Sequence, residues 1–284
     1  MMKELAMATL FAGGVCTAGA GDAVLPLTRE WDKIFPKSDK VEHCKTTFRN
    51  RFGITLAADV YKPKAANGKL PAIAVSGPFG AVKEQSSGIY AQTLAERGFL
   101  TIAFDPSFTG ESGGEPRYVA SPDINTEDFQ AAVDYLISRD DVDAERIGIL
   151  GICGWGGLAI NAAAVDTRVK ATVASTMYDM TRVTANGYFD KEDSPAARKA
   201  KKVAMNAQRI KDFKSGTYEL GGGVPDKLPG DASSFICPNT RAVFSMTPLS
   251  FISVQRSLPS LERSPTPANM EYPPCSVATL RISS

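Results

Sequence analysis

Histidine is nearly missing from this chain: His43 is the one imidazole in 284 residues. A mechanism that needs a histidine base has a single candidate here, and a zinc site built on paired histidines has none. Cysteine is sparse and scattered. Cys16, Cys44, Cys153, Cys237 and Cys275 form no CxxC pair, so neither a disulfide framework nor a thiolate metal cage is indicated. Charge of one sign is lacking as well: Lys+Arg 32 against Asp+Glu 31 leaves +1. That balance gives no footprint for nucleic acid and favours a small, uncharged substrate. No segment holds the roughly 18 or more uncharged apolar residues of a membrane span. No cofactor or metal is expected, and oligomeric state is open.

Three regions differ in character. Residues 1–20 carry Lys3, an apolar run from Leu5 to Val15, and Thr17-Ala-Gly-Ala20. Those are the proportions of a secretory signal peptide, so an exported protein is expected, with a cytoplasmic one as the alternative. Residues 25–215 alternate strand-like and helix-like segments. Residues 216–284 form a Pro/Ser-rich tail: nine of the eighteen prolines fall in the last 70 positions. Proline at that density interrupts ladders and helices alike, so only a short strand at Arg241 to Ser245 is expected there, and loose packing otherwise.

In the middle region, Thr46 to Phe48 and Ile54 to Tyr61 flank Asn50-Arg-Phe-Gly53, a hairpin pattern. Leu70 to Ser76 and Phe99 to Phe104 read as buried strands, with a helix from Glu84 to Arg97 between them closed by Gly98. A second helix is expected to begin near Asn125 or Thr126. Its Phe129, Ala132, Val133 and Leu136 recur at helical spacing. Val169 to Ser175 is a further strand. Asp193-Ser-Pro195 opens a helix whose seven lysines and arginines, Arg198 to Lys214, form a solvated basic face, with a clamp for an anionic substrate as the alternative. Such alternation calls for a mostly parallel doubly wound α/β sheet, with ligands at the strands' carboxyl ends.

The organising stretch is Arg146-Ile-Gly-Ile-Leu-Gly-Ile-Cys153-Gly-Trp-Gly-Gly157. A buried strand runs into a glycine-rich helix start, and one thiol stands between. A side chain on such a turn is pushed out beside free helix N–H groups, which stabilise thiolate and oxyanion alike. A small buried cysteine in a tight turn fits the same residues.

Several segments, in order, resemble the α/β-hydrolase superfamily, nearest its dienelactone-hydrolase-like and X-Pro-peptidase-like bacterial branch. Gly77-Pro-Phe-Gly80 stands where that family's oxyanion loop follows the third strand. Asp105-Pro-Ser-Phe-Thr-Gly-Glu-Ser112 is similar to its turn after the fourth. Gly151-Ile-Cys-Gly-Trp-Gly-Gly157 stands at the nucleophile elbow, and Asp166-Thr-Arg168-Val-Lys-Ala leads into the sixth strand. The resemblance implies Cys153 as nucleophile on an ester, lactone or related acyl carbonyl. It implies the N–H groups of Gly154 and of Phe79 or Gly80 as oxyanion hole, Asp179 as candidate acid, and Asp105 and Ser112 as loop supports. Two departures stand out. Trp155 occupies a place the family keeps small, which leaves open a register with position 155 at the turn. The family's late histidine is absent, and Ile252 to Ser284 offers neither strand nor acid loop. The tail is therefore expected to be truncated, frame-shifted or genuinely divergent, and a non-catalytic pseudoenzyme that at most binds a small acyl or aromatic ligand is the rival expectation.

Overall fold

The computed structural model describes residues 25–219 and 277–280. The leader expected at 1–20, the strand expected at 241–245 and nearly all of the tail lie outside the described residues. Among the described residues seven strands form one sheet in the order β1-β2-β4-β3-β5-β6-β7. β1 (Val41–Arg49) and β2 (Thr55–Pro63) are the expected hairpin, antiparallel in register His43 opposite Tyr61. β3 (Leu70–Ser76), β4 (Leu100–Phe104), β5 (Val142–Ile152) and β6 (Val169–Ser175) run parallel to one another.

Helices cover both faces. Ala91 and Ala95 of α1 (Ser86–Ala95) pack with Tyr61, Val75 and Leu150 on one side. On the other, Phe129, Val133 and Leu136 of α2 (Pro122–Ile137) and Leu158 and Ala162 of α3 (Gly154–Val165) pack with Ile102, Phe104 and Ile149. β4 is buried at every position, as a strand covered on both faces must be. α2 begins earlier than the apolar spacing suggests. Ser121 accepts from the Ile124 N–H and Pro122 takes the first helical position, so cap chemistry sets the boundary.

Two expectations are corrected. The stretch after Ile252 does hold a strand: β7 (Val277–Leu280) lies antiparallel on β6, with Ser175 opposite Val277. Four residues are too few to show a period, and the open N–H and C=O groups of β6 are what they pair with. Cysteine spacing indicated no disulfide, yet Cys44 is disulfide-bonded; Cys153 is a free thiol. Beyond β6 come α4 (Met180–Asn186) and α5 (Pro195–Ser215), the latter capped by Ser194 and with none of its residues buried. Arg198 and Lys201 pair with Asp193 and Glu192, which ties part of the basic face down.

Among the described residues no helix is long and apolar enough to cross a membrane.

Candidate active site

β3 and β5 are neighbours, but the chain leaves β3 toward α1 on one face and leaves β5 toward α3 on the other. That divergence makes the β3–β5 pair the topological switch point of the sheet, and sheets of this kind bind ligands at the carboxyl ends there. Both glycine-rich segments singled out in the sequence end there.

Cys153 is the apex of the β5–α3 turn, with φ 58° and ψ −127°. A non-glycine residue held there stores roughly 1–3 kcal/mol of strain, tolerated only where the surroundings fix it. They do. Cys153 N–H donates to Ser175 O at 2.9 Å, while its carbonyl accepts from Gly156 N–H at 2.9 Å and Tyr178 N–H at 3.2 Å. The thiol residue is half-buried, not sealed in the core. Gly154 opens α3, so its N–H has no acceptor inside the helix.

Register at this turn is set by packing. Trp155 is 2 % exposed and lies edge-on to Phe104, with centroids 6.3 Å apart, and 5.7 Å from Phe129. A Cβ on Gly151 would overlap the Trp155 backbone and come 2.8 Å from Ala159 Cβ; one on Gly77 would stand 2.8 Å from Trp155 Cβ. The bulk expected to clash at position 155 thus turns into the core, and Gly77 and Gly151 supply the clearance. Cys153, not Trp155, is the turn residue.

The β3–α1 loop faces that turn. A Cβ on Gly154 would lie 3.1 Å from Phe79 Cβ and 2.5 Å from Met180 Cγ. Gly80 has φ 80°. The loop after β6 closes the other side: a Cβ on Gly156 would meet Met177 at 3.1 Å, and one on Gly157 the Tyr178 carbonyl at 3.1 Å. Phe79, Met177 and Met180 therefore line the turn with apolar surface, and the Tyr178 backbone closes it. Met177 and Tyr178 belong to the loop after β6 and Met180 opens α4, a segment with no sequence signal beyond following a strand.

Asp179 is exposed and caps α4. Its Oδ1 accepts from Thr181 N–H and Arg182 N–H, both at 3.0 Å, and from the Thr181 hydroxyl at 2.6 Å. His43 stands on β1, four strand positions from β5. Its row runs His43, Tyr61, Thr101, Ile73, Gly148, five residues short of Cys153. Strand spacing and rise put the two roughly 19 Å apart across the sheet and about 16 Å apart along it. The imidazole is bonded instead to Asp59, Nε2 to Oδ1 at 2.7 Å.

That bond begins a chain of ionic contacts unseen in the sequence. Asp59 Oδ1 is 3.0 Å from Lys33 Nζ, which reaches Asp32 at 2.6 Å. Lys45 Nζ donates to Asp32 and Glu111, each at 2.8 Å. Lys83 Nζ, its side chain fully buried, donates to Glu84 at 2.5 Å, Glu111 at 2.7 Å and Asp105 at 2.9 Å. Burial opposes the charge on Lys83, but Asp105 and then Glu84 outweigh it and hold it well above the usual lysine value. Burial and then Asp105 raise Glu84 to about 7, against the pull of Lys83. Burial also acts on Glu111, but Lys83 and Lys45 prevail and bring it to about 2. The Asp32, Glu84 and Glu111 carboxylates gather within 4.8 Å as a metal site's would; the Lys33, Lys45 and Lys83 ammonium groups already pair with them. The readable hints were a charged Asp59 inside an apolar strand and a Lys-Glu pair just past the glycine loop.

Asp105 and Ser112 support their turn. Asp105, buried at the end of β4, accepts Lys83 N–H at 2.7 Å and Glu111 N–H at 2.9 Å. Ser112 Oγ donates to Asp105 O at 2.7 Å and accepts from Ala57 N–H at 2.8 Å.

Residues 53–218, more than half of the chain, match the X-Pro dipeptidyl-peptidase (S15 family) pattern. The chain belongs to that family. This S15-family chain is 55% identical over 266 residues to the uncharacterized protein PA2218 of Pseudomonas aeruginosa, covering 88% of itself and 71% of that protein. The crystal structure of PA2218 overlays with a TM-score of 0.76 at 54% identity, across 82% of this chain and 78% of that one. YcjY of Escherichia coli K12, also uncharacterized, is 42% identical over 176 residues, which are 61% of this chain and 57% of YcjY. The S15-family chain thus spans less than two thirds of YcjY's length. The α/β hydrolase GrgF of Penicillium sp. sh18 shares the fold at TM-score 0.50 and 20% identity, over 74% of this chain and 71% of its own. The fold is that of the α/β hydrolases, as the sequence resemblance implied.

Proposed function

We propose that this chain is an acyl hydrolase in which Cys153 attacks an ester, lactone or related carbonyl of a small molecule. The observation that carries the reading is the strained Cys153 turn at the β3–β5 switch point with Phe79 opposite Gly154. The thiolate forms a carbon–sulfur bond, and the N–H groups of Gly154 and of Phe79 or Gly80 receive the negative charge on the carbonyl oxygen. Collapse of that intermediate expels the alkoxide, which takes a proton from solvent, and leaves an acyl-Cys153 thioester that water then cleaves to the acid and the free thiol. The apolar wall suits an uncharged acyl or aromatic group. A stopped-flow burst of p-nitrophenolate from p-nitrophenyl acetate, lost in Cys153→Ala, supports the reading; equal release from both proteins contradicts it.

A second reading is favoured by one observation: His43 is bound to Asp59, remote from the turn. With no imidazole to activate water, the chain would bind or retain an acyl group and not turn it over, as a pseudoenzyme. Saturable binding of an aromatic ester without turnover distinguishes that outcome. Export, proposed from the leader at 1–20, is tested by the mature N-terminus of the protein recovered outside the cytoplasm.

A further inference from the structure

The loop that faces Cys153 is held at two points. Gly77 fixes its start, because a side chain there would overlap the Ile152 carbonyl and meet Trp155. Lys83 fixes its end through both its backbone and its side chain. Its N–H donates to one oxygen of Asp105 at 2.7 Å and its ammonium group to the other at 2.9 Å. Asp105 cannot give way, since it continues β4, donates its own N–H to Ala57 O at 2.9 Å and receives Ser112 and Glu111. Between the two anchors run Pro78 to Val82, the segment that carries Phe79 and Gly80, tightened by Ala81 N–H donating to Pro78 O at 3.0 Å.

Taking a lysine wholly out of water costs several kcal/mol before its partners offset it, and a well-packed apolar side chain serves stability as well or better. A charge kept in that position calls for another account, and its neighbourhood supplies one. The ammonium group ties the loop, the end of β4 and the Glu111 turn to one point, next to the span whose amides would have to meet a carbonyl oxygen within a few tenths of an ångström.

We propose that Lys83 is a positioning residue for the oxyanion hole: the buried Lys83–Asp105 clamp sets where the Phe79 and Gly80 amides stand relative to Cys153. The inference depends on the acyl reading of Cys153 and adds to it the group that aligns the second half of the hole. The residue does not touch substrate. Its effect appears only in reactions that build charge on a carbonyl oxygen.

Two reactions of the same thiol separate that effect from a merely structural one. With iodoacetamide the thiolate displaces iodide at a saturated carbon, and no oxyanion forms. With p-nitrophenyl acetate it adds to a carbonyl, passes through an oxyanion and expels p-nitrophenolate. In Lys83→Met the acylation rate of Cys153 is expected to fall about 10- to 100-fold, the scale of a misplaced or lost donor. Its alkylation rate should stay within about twofold of wild type, because the thiol itself is untouched. Glu111→Gln removes a less buried partner of the same ammonium group and serves if Lys83→Met does not fold; a smaller fall in the same ratio is expected. An acylation-to-alkylation ratio equal to wild type, in folded Lys83→Met or else in Glu111→Gln, overturns the role of Lys83 alone. A wild-type chain that alkylates at Cys153 but never acylates overturns the acyl reading together with it.

Discussion

Phe79 and Gly154 meet across the carboxyl edge of the sheet so closely that a Cβ on Gly154 would stand 3.1 Å from that of Phe79. Two segments more than 70 residues apart in sequence thereby become the two walls of one turn. The first consequence concerns Gly154 itself. A methyl there presses on Met180 at 2.5 Å, a flexible side chain that can swing away, and on Phe79, which cannot move without its loop. Gly154→Ala should therefore cost little stability, about 1 kcal/mol or less, while slowing acylation of Cys153 by about tenfold or more. Thermal unfolding and burst kinetics on one preparation check both parts.

Gly151 behaves differently. Its neighbours are the Trp155 backbone and Ala159 Cβ, neither of which can rotate away. Gly151→Ala should destabilise the fold by about 1–3 kcal/mol through overpacking. Trp155→Ala should cost about 3–5 kcal/mol by emptying the site against Phe104 and Phe129. Urea titration of the two variants measures both.

Glu84 gives a pH signature. Its folded value, about 7, lies above the ordinary 4.5, so folding favours the protonated acid. Its contribution to stability is fully present below pH 4.5 and is lost as pH rises through about 7. Glu84→Gln, neutral throughout, should gain stability relative to wild type as pH climbs across that window and hold a constant difference above it. Glu111, lowered to about 2, has the opposite sign: its contribution is present above 4.5 and is lost only as pH falls toward 2. Unfolding temperatures of Glu84→Gln and wild type from pH 4 to 8 test the sign; a difference that shrinks with rising pH contradicts it.

Much of the fold was legible because its signals are local. β3 and β6 fall where their apolar runs begin and end, and Ser194-Pro195 starts α5 as cap chemistry requires. The turn at Cys153 was legible in its glycines, whose close approaches to α3 now have named partners. What could not be read is long-range. The direction in which Trp155 turns depends on Phe104 and Phe129, and the Asp59, Lys83 and Glu111 contacts join β2, the β3–α1 loop and the turn after β4. No spacing encodes those pairings. β7 gives no signal in the sequence, because four residues show no period and find their place only against β6.

The role assigned to Cys153 is tested most directly by locating the acyl group. After a brief exposure to p-nitrophenyl acetate, intact-mass and peptide mapping at low pH should find one acetyl group, on Cys153, and none on Cys153→Ala treated alike. Acetyl groups scattered over lysines, with the peptide containing Cys153 unmodified, would contradict the account.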